Sequence, residues 1–357
     1  MLPNIFNYLD VKDLVSASKV SKTWREAAQF KRLWREKTVE IRNGCRFSPQ
    51  MLSLLQEIGI QYLKLPAIKE GWLSHLMRRK DHKRNVKYLQ RVINYLSHSL
   101  RTLDLSQIHL GEAEVQAAFT LKMDNLQELV LNPRIAFNGV IAEILGALCP
   151  NLEVLGLGST VLAVNQVSPV VDKMPKLRTL NCVFGQDFMD SSALLISQIL
   201  PHQREITLDD SPMTIRGIHH LAGLRNLMTL NICRCYNLSE NFIDVLSQAQ
   251  SRVRILRVCD CAFMVDNILM HHIGRSSLNI QFLTLLDNFY GSDEGLTHLV
   301  QKHPSPLRGI SLEGDAMTVH GLRTLNEKCP KLELVILDEK EVNIPLSLDN
   351  QTIVFKA

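Results

Sequence analysis

The sequence lacks several features that would point to a membrane or secreted protein. No run of about 18 apolar residues occurs, so we expect no membrane-spanning helix. The stretch from Met1 to Asp10 has neither a basic start nor a small-residue cleavage site, so we expect no secretory signal. The net charge of +4 over 357 residues does not by itself indicate a nucleic-acid or membrane partner.

Motifs of common enzymes are also missing. There is no Walker loop, no Gly-x-Gly-x-x-Gly and no Gly-x-Ser-x-Gly. The adjacent pairs His219-His220 and His271-His272 fall on predicted helices, where neighbours diverge by about 100° and make poor joint metal ligands. We therefore expect a protein that is not an enzyme and needs no cofactor. The 8 cysteines, without a signal, suggest reduced thiols and a cytoplasmic or nuclear location.

What the sequence does contain is a repeat, Leu-x-x-Leu-x-Leu, with 24 to 27 residues between successive starts. A period of this length predicts a leucine-rich-repeat solenoid of the α/β class, with a curved parallel sheet inside and helices outside. Such a solenoid buries its core only by stacking repeats, and it offers an extended binding surface rather than a catalytic pocket. The ten starts are Leu100, Leu126, Leu152, Leu177, Gln203, Leu227, Val253, Ile280, Leu307 and Leu332.

The repeat divides the chain into four regions. Residues 1–37 have apolar spacings of three and four, which predict short packed helices. Residues 38–99 resemble two degenerate capping repeats with a basic insertion at residues 78–91. One interpretation of this insertion is a solvated loop. The other is a basic patch that binds an acidic partner or serves as a nuclear-import signal. Residues 100–337 hold the ten repeats, and residues 338–357 form a terminal cap or tail.

The N-terminal region resembles an F-box. The matching motifs are Leu2-Pro3, Ile5-Phe6-x-Tyr8-Leu9, Asp13-Leu14, Val20-x-Lys22-x-Trp24-Arg25 and Leu33-Trp34. The repeats are similar to the cysteine-containing class of F-box proteins, with Leu-x-Ile-x-x-Cys at Leu230 to Cys235 and a close variant at Leu256 to Cys261. The two resemblances together cover essentially the whole chain.

The resemblance implies a substrate adaptor of an SCF-type ubiquitin ligase, in which the F-box docks on a Skp adaptor that links to cullin. The alternative is a repeat scaffold or inhibitor whose degenerate F-box no longer engages Skp. Only Asn4 separates Pro3 from Ile5, where the family has several residues. Either Leu2-Pro3 is not the usual pair, or a helical turn is deleted, or the start is an internal methionine. The positions carried over as Skp-binding are Pro3, Ile5, Phe6, Leu9, Leu14, Val20 and Trp24, some of which could instead hold the F-box together.

Side chains between the leucines are expected to face the concave surface of the sheet, because side chains alternate along a strand. In the later repeats acids dominate these positions, which predicts a protein substrate with a basic segment. The competing interpretation is that these acids are solvated or cap helices. The candidate substrate-binding residues are Phe184, Glu205, Asp209, Asp210, Arg234, Arg257, Asp260, Asp287, Glu313 and Asp338, with Glu339 beside them.

Two Cys-x-Cys pairs lie one repeat apart and suggest a zinc site. Strand alternation argues against it: Cys233 and Cys259 should lie side by side on the open face, about 5 Å apart. Cys235 and Cys261 should point into the core. The four sulfurs then form two separate pairs, so we expect no metal.

Overall fold

A computed structural model describes residues 2–9, 11–34, 37–40, 48–65, 79–133, 135–261, 266–287, 291–301, 305–312, 318–337 and 353–356. Within these residues strands and helices alternate from residue 38 onward. The strands are β1 (Thr38–Glu40), β2 (Tyr62–Lys64), β3 (Thr102–Asp104), β4 (Glu128–Val130), β5 (Val154–Val161), β6 (Thr179–Phe184), β7 (Glu205–Asp209), β8 (Thr229–Cys233), β9 (Ile255–Cys259), β10 (Phe282–Leu286), β11 (Gly309–Leu312), β12 (Leu334–Leu337) and β13 (Ile353–Lys356).

Three short helices precede the first strand, and the others lie between strands. The helices are α1 (Leu2–Phe6), α2 (Val11–Ala17), α3 (Lys22–Ala28), α4 (Pro49–Ile58), α5 (Arg79–Leu96), α6 (Glu112–Ala118), α7 (Gly139–Leu148), α8 (Val164–Lys173), α9 (Asp190–Ile199), α10 (Ile215–Ala222), α11 (Phe242–Gln248), α12 (Asp266–Arg275), α13 (Asp293–Leu299) and α14 (Val319–Lys328). A 3₁₀ turn at Lys31–Trp34 separates α3 from β1.

The chain divides into two compact units: Met1–Thr160 with Asn165–Cys182, and Val161–Val164 with Val183–Ala357. In the first unit each strand from β1 to β4 pairs in parallel with the next. In the second, the end of β6 pairs with β7, and each strand from β7 to β12 pairs in parallel with the next. The predicted α/β leucine-rich-repeat solenoid is therefore confirmed.

The core lies under alternate residues of the strands. Leu230 and Ile232 of β8 and Leu256 and Val258 of β9 are buried, whereas the residues between them are partly or fully exposed. Each leucine lies opposite its counterpart in the next repeat, as Leu230 does with Leu256. This is the alternation that the repeat pattern predicts, because side-chain direction in a strand has a period of two.

Three helices end just before a proline. α7 ends before Cys149-Pro150, α8 before Met174-Pro175 and α14 before Cys329-Pro330. Proline lacks the N–H that a helix interior needs, and at these three places the chain turns toward the next strand, although α8 also contains Pro169 within it. Ser292 is the N-cap of α13, and Asn241 is the N-cap of α11.

The two ends of the solenoid have strands of their own. The degenerate repeats contain β1 and β2, and the terminal segment contains β13, which pairs with β12. Of the basic insertion, residue 78 and the side chains of 79–85 lie outside the described part of the chain, while α5 runs through the rest. Among the described residues, no helix has the length and apolar character needed to cross a bilayer.

Candidate functional site

The first three helices pack around two buried side chains. Phe6 of α1 and Leu14 of α2 are almost completely covered by the chain itself. The ring of Phe6 meets that of Trp24, on α3, edge to face with centroids 5.2 Å apart. Trp24 is held there by the start of α3, where its N–H donates to the N-cap hydroxyl of Ser21 at 3.2 Å. Aromatic pairs of this geometry add stability beyond the area they bury.

Hydrogen bonds connect these helices to the first strand. The indole Nε1 of Trp34 donates to the Ala28 carbonyl at 2.7 Å, inside the buried end of α3. Lys37, one residue before β1, donates from Nζ to the Asn7 carbonyl at 3.3 Å and also to the Leu9 carbonyl. The end of α1 is therefore fixed against the beginning of the sheet.

The same helices expose an unusual number of large apolar side chains. Ile5 is 60% exposed and Val20 64%, and Trp24 keeps 36% of its surface in solvent beside Phe6. Large apolar side chains left exposed within one short segment are candidates for a partner surface. We call the set Ile5, Tyr8, Val20, Trp24 and Phe30 the N-terminal apolar set.

Two of the predicted Skp-binding residues are not on this surface. Phe6 and Leu14 are buried within the chain itself, and Phe6 packs against the ring of Trp24, so the expectation that they face a partner is wrong. Leu9 is half-buried, and the side chain of Pro3 lies outside the described part of the chain. A partner-binding role for Ile5, Val20 and Trp24 stays a prediction.

Sequence reasoning missed Tyr8 and Phe30. Both are aromatic residues in turns, just after α1 and α3 respectively, and both are exposed. Tyr8 stood in the quoted motif without being carried over as a contact, and spacing did not single out Phe30, which lies three residues before the buried Leu33.

In the second unit, a row of polar residues follows the strands β7 to β10. Asp210, Arg234, Asp260 and Asp287 occupy equivalent positions, each with a φ between 49° and 57°. The N–H groups of the first three donate at 3.0 Å to carbonyls of the next strand. The hydrogen bonding between neighbouring strands therefore continues for one residue into the left-handed turn. Aspartate tolerates this conformation better than most residues. The row, together with the outward residues of β7 to β10, is called the open face below.

The charges on the open face are only partly neutralised. Arg234 donates from Nη2 to Asp209 Oδ2 at 2.5 Å, which pairs one predicted acid with one predicted base. Glu205 accepts from the Asn231 amide at 3.1 Å and Asp210 from the Gln186 amide at 2.5 Å, and a neutral amide leaves the carboxylate charge in place. Arg257 is exposed on β9. Glu313, Asp338 and Glu339 lie outside the described residues.

Phe184 does not belong to the open face, and its assignment as a substrate contact is wrong. Its side chain is fully buried, and its ring lies 4.7 Å from that of Phe188. The register explains the error, because Phe184 lies opposite Leu208, a core position of the next repeat. The fourth repeat therefore buries Phe184 in addition to Leu177, Leu180 and Cys182 of the predicted pattern.

The cysteines divide as strand alternation predicted. Cys235 and Cys261 are buried, and their thiols donate to the carbonyls of Cys233 and Cys259 at 3.2 and 3.4 Å. Burial raises the pKa of the Cys235 thiol to about 12 and that of Cys261 to about 11. Cys233 and Cys259 lie directly opposite each other and are partly exposed. In the part of the chain that is described, no three His, Cys, Asp or Glu side chains gather as a metal site.

Comparison with known proteins accounts for both parts of the chain. Residues 1–40 match the family model named F-box-like. The whole chain superposes on a chain of the yeast Rad7 and Elc1 complex with a TM-score of 0.58 and 12% identity, covering 100% of this chain and 92% of that one. The chain has the architecture of an F-box/leucine-rich-repeat protein.

The F-box-like match includes α1 to α3, the 3₁₀ turn and β1, so the whole N-terminal apolar set lies within it. A second solved structure, the complex of TLR13 with ssRNA13, aligns with a TM-score of 0.42 and 14% identity over 85% of this chain and 39% of that one. A search of curated protein sequences finds no significant match.

Proposed function

We propose that this chain is the substrate-recognition adaptor of a ubiquitin ligase of the SCF type. The observation that carries the proposal is the N-terminal apolar set, five exposed apolar side chains within an F-box-like domain of 40 residues. An F-box of this kind docks on a Skp-type adaptor, which joins it to cullin. The solenoid that follows supplies the long surface that a protein substrate needs.

In this role the chain performs no chemistry. It would hold a substrate lysine near a conjugating enzyme recruited through cullin. The effective concentration of that lysine at the conjugating enzyme would thereby rise. Such a function needs two separate surfaces on one chain. The N-terminal apolar set and the open face meet this requirement, since the first lies in residues 5–30 and the second begins at Glu205.

The adaptor surface can be tested by changing side chains that the fold does not need. The variant Ile5→Lys/Val20→Lys places two charges on positions that are 60% and 64% exposed, so the helices should still fold. Loss of an apolar anchor commonly costs about 1 kcal/mol or more, so two should weaken binding about tenfold or more. The measurement is the dissociation constant for a purified Skp–cullin pair, with circular dichroism to verify folding.

The matched control is Ile268→Lys, which puts the same charge on a helix residue that is 47% exposed outside the F-box-like domain. It should bind like the wild-type chain. Equal affinity for all three proteins would place the contact elsewhere. No binding by the wild-type chain would favour a repeat scaffold that works without a ligase.

We also propose that the open face binds a basic segment of the substrate. The support is the residual negative charge of Glu205, Asp210 and Asp260. These charges attract a basic segment over a distance and thereby raise its association rate. The variant Asp210→Asn/Asp260→Asn removes charge alone, because asparagine also tolerates the left-handed conformation.

The probe is a synthetic lysine-rich peptide, measured by fluorescence anisotropy at several salt concentrations. Binding should weaken with added salt, because exposed charges are screened within about 8 Å at physiological ionic strength. The variant should bind more weakly and respond less to salt. Asp124→Asn/Asp172→Asn removes the same charge from exposed positions in the first unit and should behave as wild type. Salt-independent binding would contradict the proposal.

A further inference from the structure

Two thiols face each other across neighbouring strands in the middle of the open face. Cys233 ends β8 and Cys259 ends β9, and the parallel register places them directly opposite one another. Opposite residues of adjacent strands lie about 4.7–4.9 Å apart, within the Cα separation of about 4.4–6.8 Å that a disulfide spans. Both thiols are free, and each is the first cause of the shift in the other's pKa.

These are the accessible cysteines of the described chain. Cys149, Cys182, Cys235, Cys261 and Cys329 are all buried, whereas Cys233 and Cys259 are partly exposed. A water-soluble thiol reagent should therefore react with Cys233 and Cys259 before it reacts with the buried cysteines. Cys45 lies outside the described residues.

The surroundings make the two thiols unequal. The hydrogen bond from Cys259, with Arg234 beside it, lowers the pKa of Cys233 against the opposing effects of burial and of Asp209 and Asp260. The same hydrogen bond, burial and nearby negative charge raise the pKa of Cys259. Because the thiolate is the nucleophile, Cys233 is the sulfur that reacts first and Cys259 is the one that resolves.

We propose that Cys233 and Cys259 form an oxidisable dithiol on the open face, which hydrogen peroxide converts to a cross-strand disulfide. The Cys233 thiolate attacks one peroxide oxygen and the O–O bond breaks, so that Cys233 becomes a sulfenic acid; the departing hydroxide takes up the proton that the Cys233 thiol released on ionising and forms water. Cys259 Sγ then attacks that sulfur, the S–O bond breaks, and the departing hydroxide takes the Cys259 proton to form water. Two thiols lose two electrons, and one peroxide becomes two water molecules.

The site is independent of the proposed adaptor role, since it needs only the folded second unit. Its expected state is reduced until an oxidant arrives, which agrees with the reduced thiols anticipated from the sequence. The disulfide would tie β8 to β9 beside the Asp209–Arg234 ion pair and remove both thiols from the open face.

The test is peroxide treatment of the full chain in a Cys45→Ser background, followed by mass spectrometry without reduction. Trypsin cuts after Arg234 and separates Cys233 from Cys235, and a protease that cuts before aspartate separates Cys259 from Cys261 at Asp260. We expect a Cys233–Cys259 linkage that dithiothreitol reverses. The five buried cysteines should react with iodoacetamide at least about tenfold more slowly than Cys233 in the native protein.

The two single variants separate the roles of the thiols. In Cys259→Ser the reaction should stop at a sulfenic acid on Cys233 that dimedone traps. In Cys233→Ser the remaining Cys259 should stay a thiol under the same treatment. Equal oxidation of both variants, a linkage to another cysteine, or only intermolecular disulfides would overturn the proposal.

Discussion

At the scale of single residues, His271 is a histidine whose protonated form the fold disfavours. Its ring lies 4.8 Å from that of His298, and its Nε2 lies 3.5 Å from Arg275 Nη1. His272 beside it contacts Asp244 at 2.9 Å, and His298 contacts Glu294 at 3.6 Å. Loss of hydration, followed by the positive charges of His298 and Arg275, lowers the pKa of His271 below its usual value of 6.5.

This depressed pKa predicts sensitivity to mild acid. The unfolded chain takes up the proton at about pH 6.5, while the folded chain resists it, so stability is present above that pH and is lost as pH falls below it. His271→Gln should therefore lose less thermal stability than the wild-type chain when the pH is lowered. The measurement is the melting temperature on both sides of that window.

The control for His271 is His219→Gln, an exposed histidine on α10. It removes one histidine from a helix of the same unit and should leave the acid response of the wild-type chain unchanged. If His219→Gln and His271→Gln shift the response equally, the effect is a general property of surface histidines.

At the scale of helices, α12 and α13 approach each other over a glycine. A Cβ at Gly274 would lie 2.0 Å from the backbone oxygen of His298, far inside contact distance. A glycine inside a helix costs about 0.5–1 kcal/mol relative to alanine, so its presence there has a packing reason. The reason is the close stacking of one repeat's helix on the next.

Gly274→Ala is therefore expected to destabilise the protein, opposite to the effect of alanine on an isolated helix. The helices must separate to admit the methyl group, which typically costs about 1–3 kcal/mol of unfolding free energy. Chemical denaturation measures this loss in the free energy of unfolding. The control is Gly139→Ala at the start of α7, where nothing lies within 4 Å of the added Cβ and stability should hold or rise. A stable Gly274→Ala variant would mean that the helices shift freely.

The elements also show how far the sequence alone could go. Leu230, Ile232, Leu256 and Val258 are buried as predicted, because a repeated strand pattern specifies which face is inside whatever surrounds it. Phe184 could not be placed in this way, because its repeat buries one further residue beyond Cys182, and only the pairing of Phe184 with Leu208 reveals it.

The N-terminal helices resisted prediction for a different reason. Their pattern marks Ile5, Phe6 and Trp24 equally as apolar, and helices of 5 to 7 residues can turn several faces inward. Which face is buried is decided by packing between helices, here by the contact of Phe6 with Trp24. Motif resemblance identified the segment but could not distinguish its core from its surface.

At the scale of the whole molecule, the repeats imply that stability is local. Strand β9 pairs with β8 before it and β10 after it, so a change in one repeat should first affect the repeats on either side. Leu256 lies in the middle of β9, fully buried between β8 and β10. Its neighbour Arg257 points to the open face and is exposed.

Leu256→Ala should therefore weaken one stretch of the chain more than the rest. Truncating a buried leucine costs about 2–5 kcal/mol through the lost contacts and the cavity. Hydrogen exchange should accelerate most for amides of β8, β9 and β10, while those of β3 and β4 in the first unit keep their protection, because solenoid contacts do not extend beyond adjacent repeats. Arg257→Ala changes the adjacent residue on the opposite face and should leave exchange nearly unchanged. A uniform acceleration along the chain would mean that the two units unfold together as one cooperative structure.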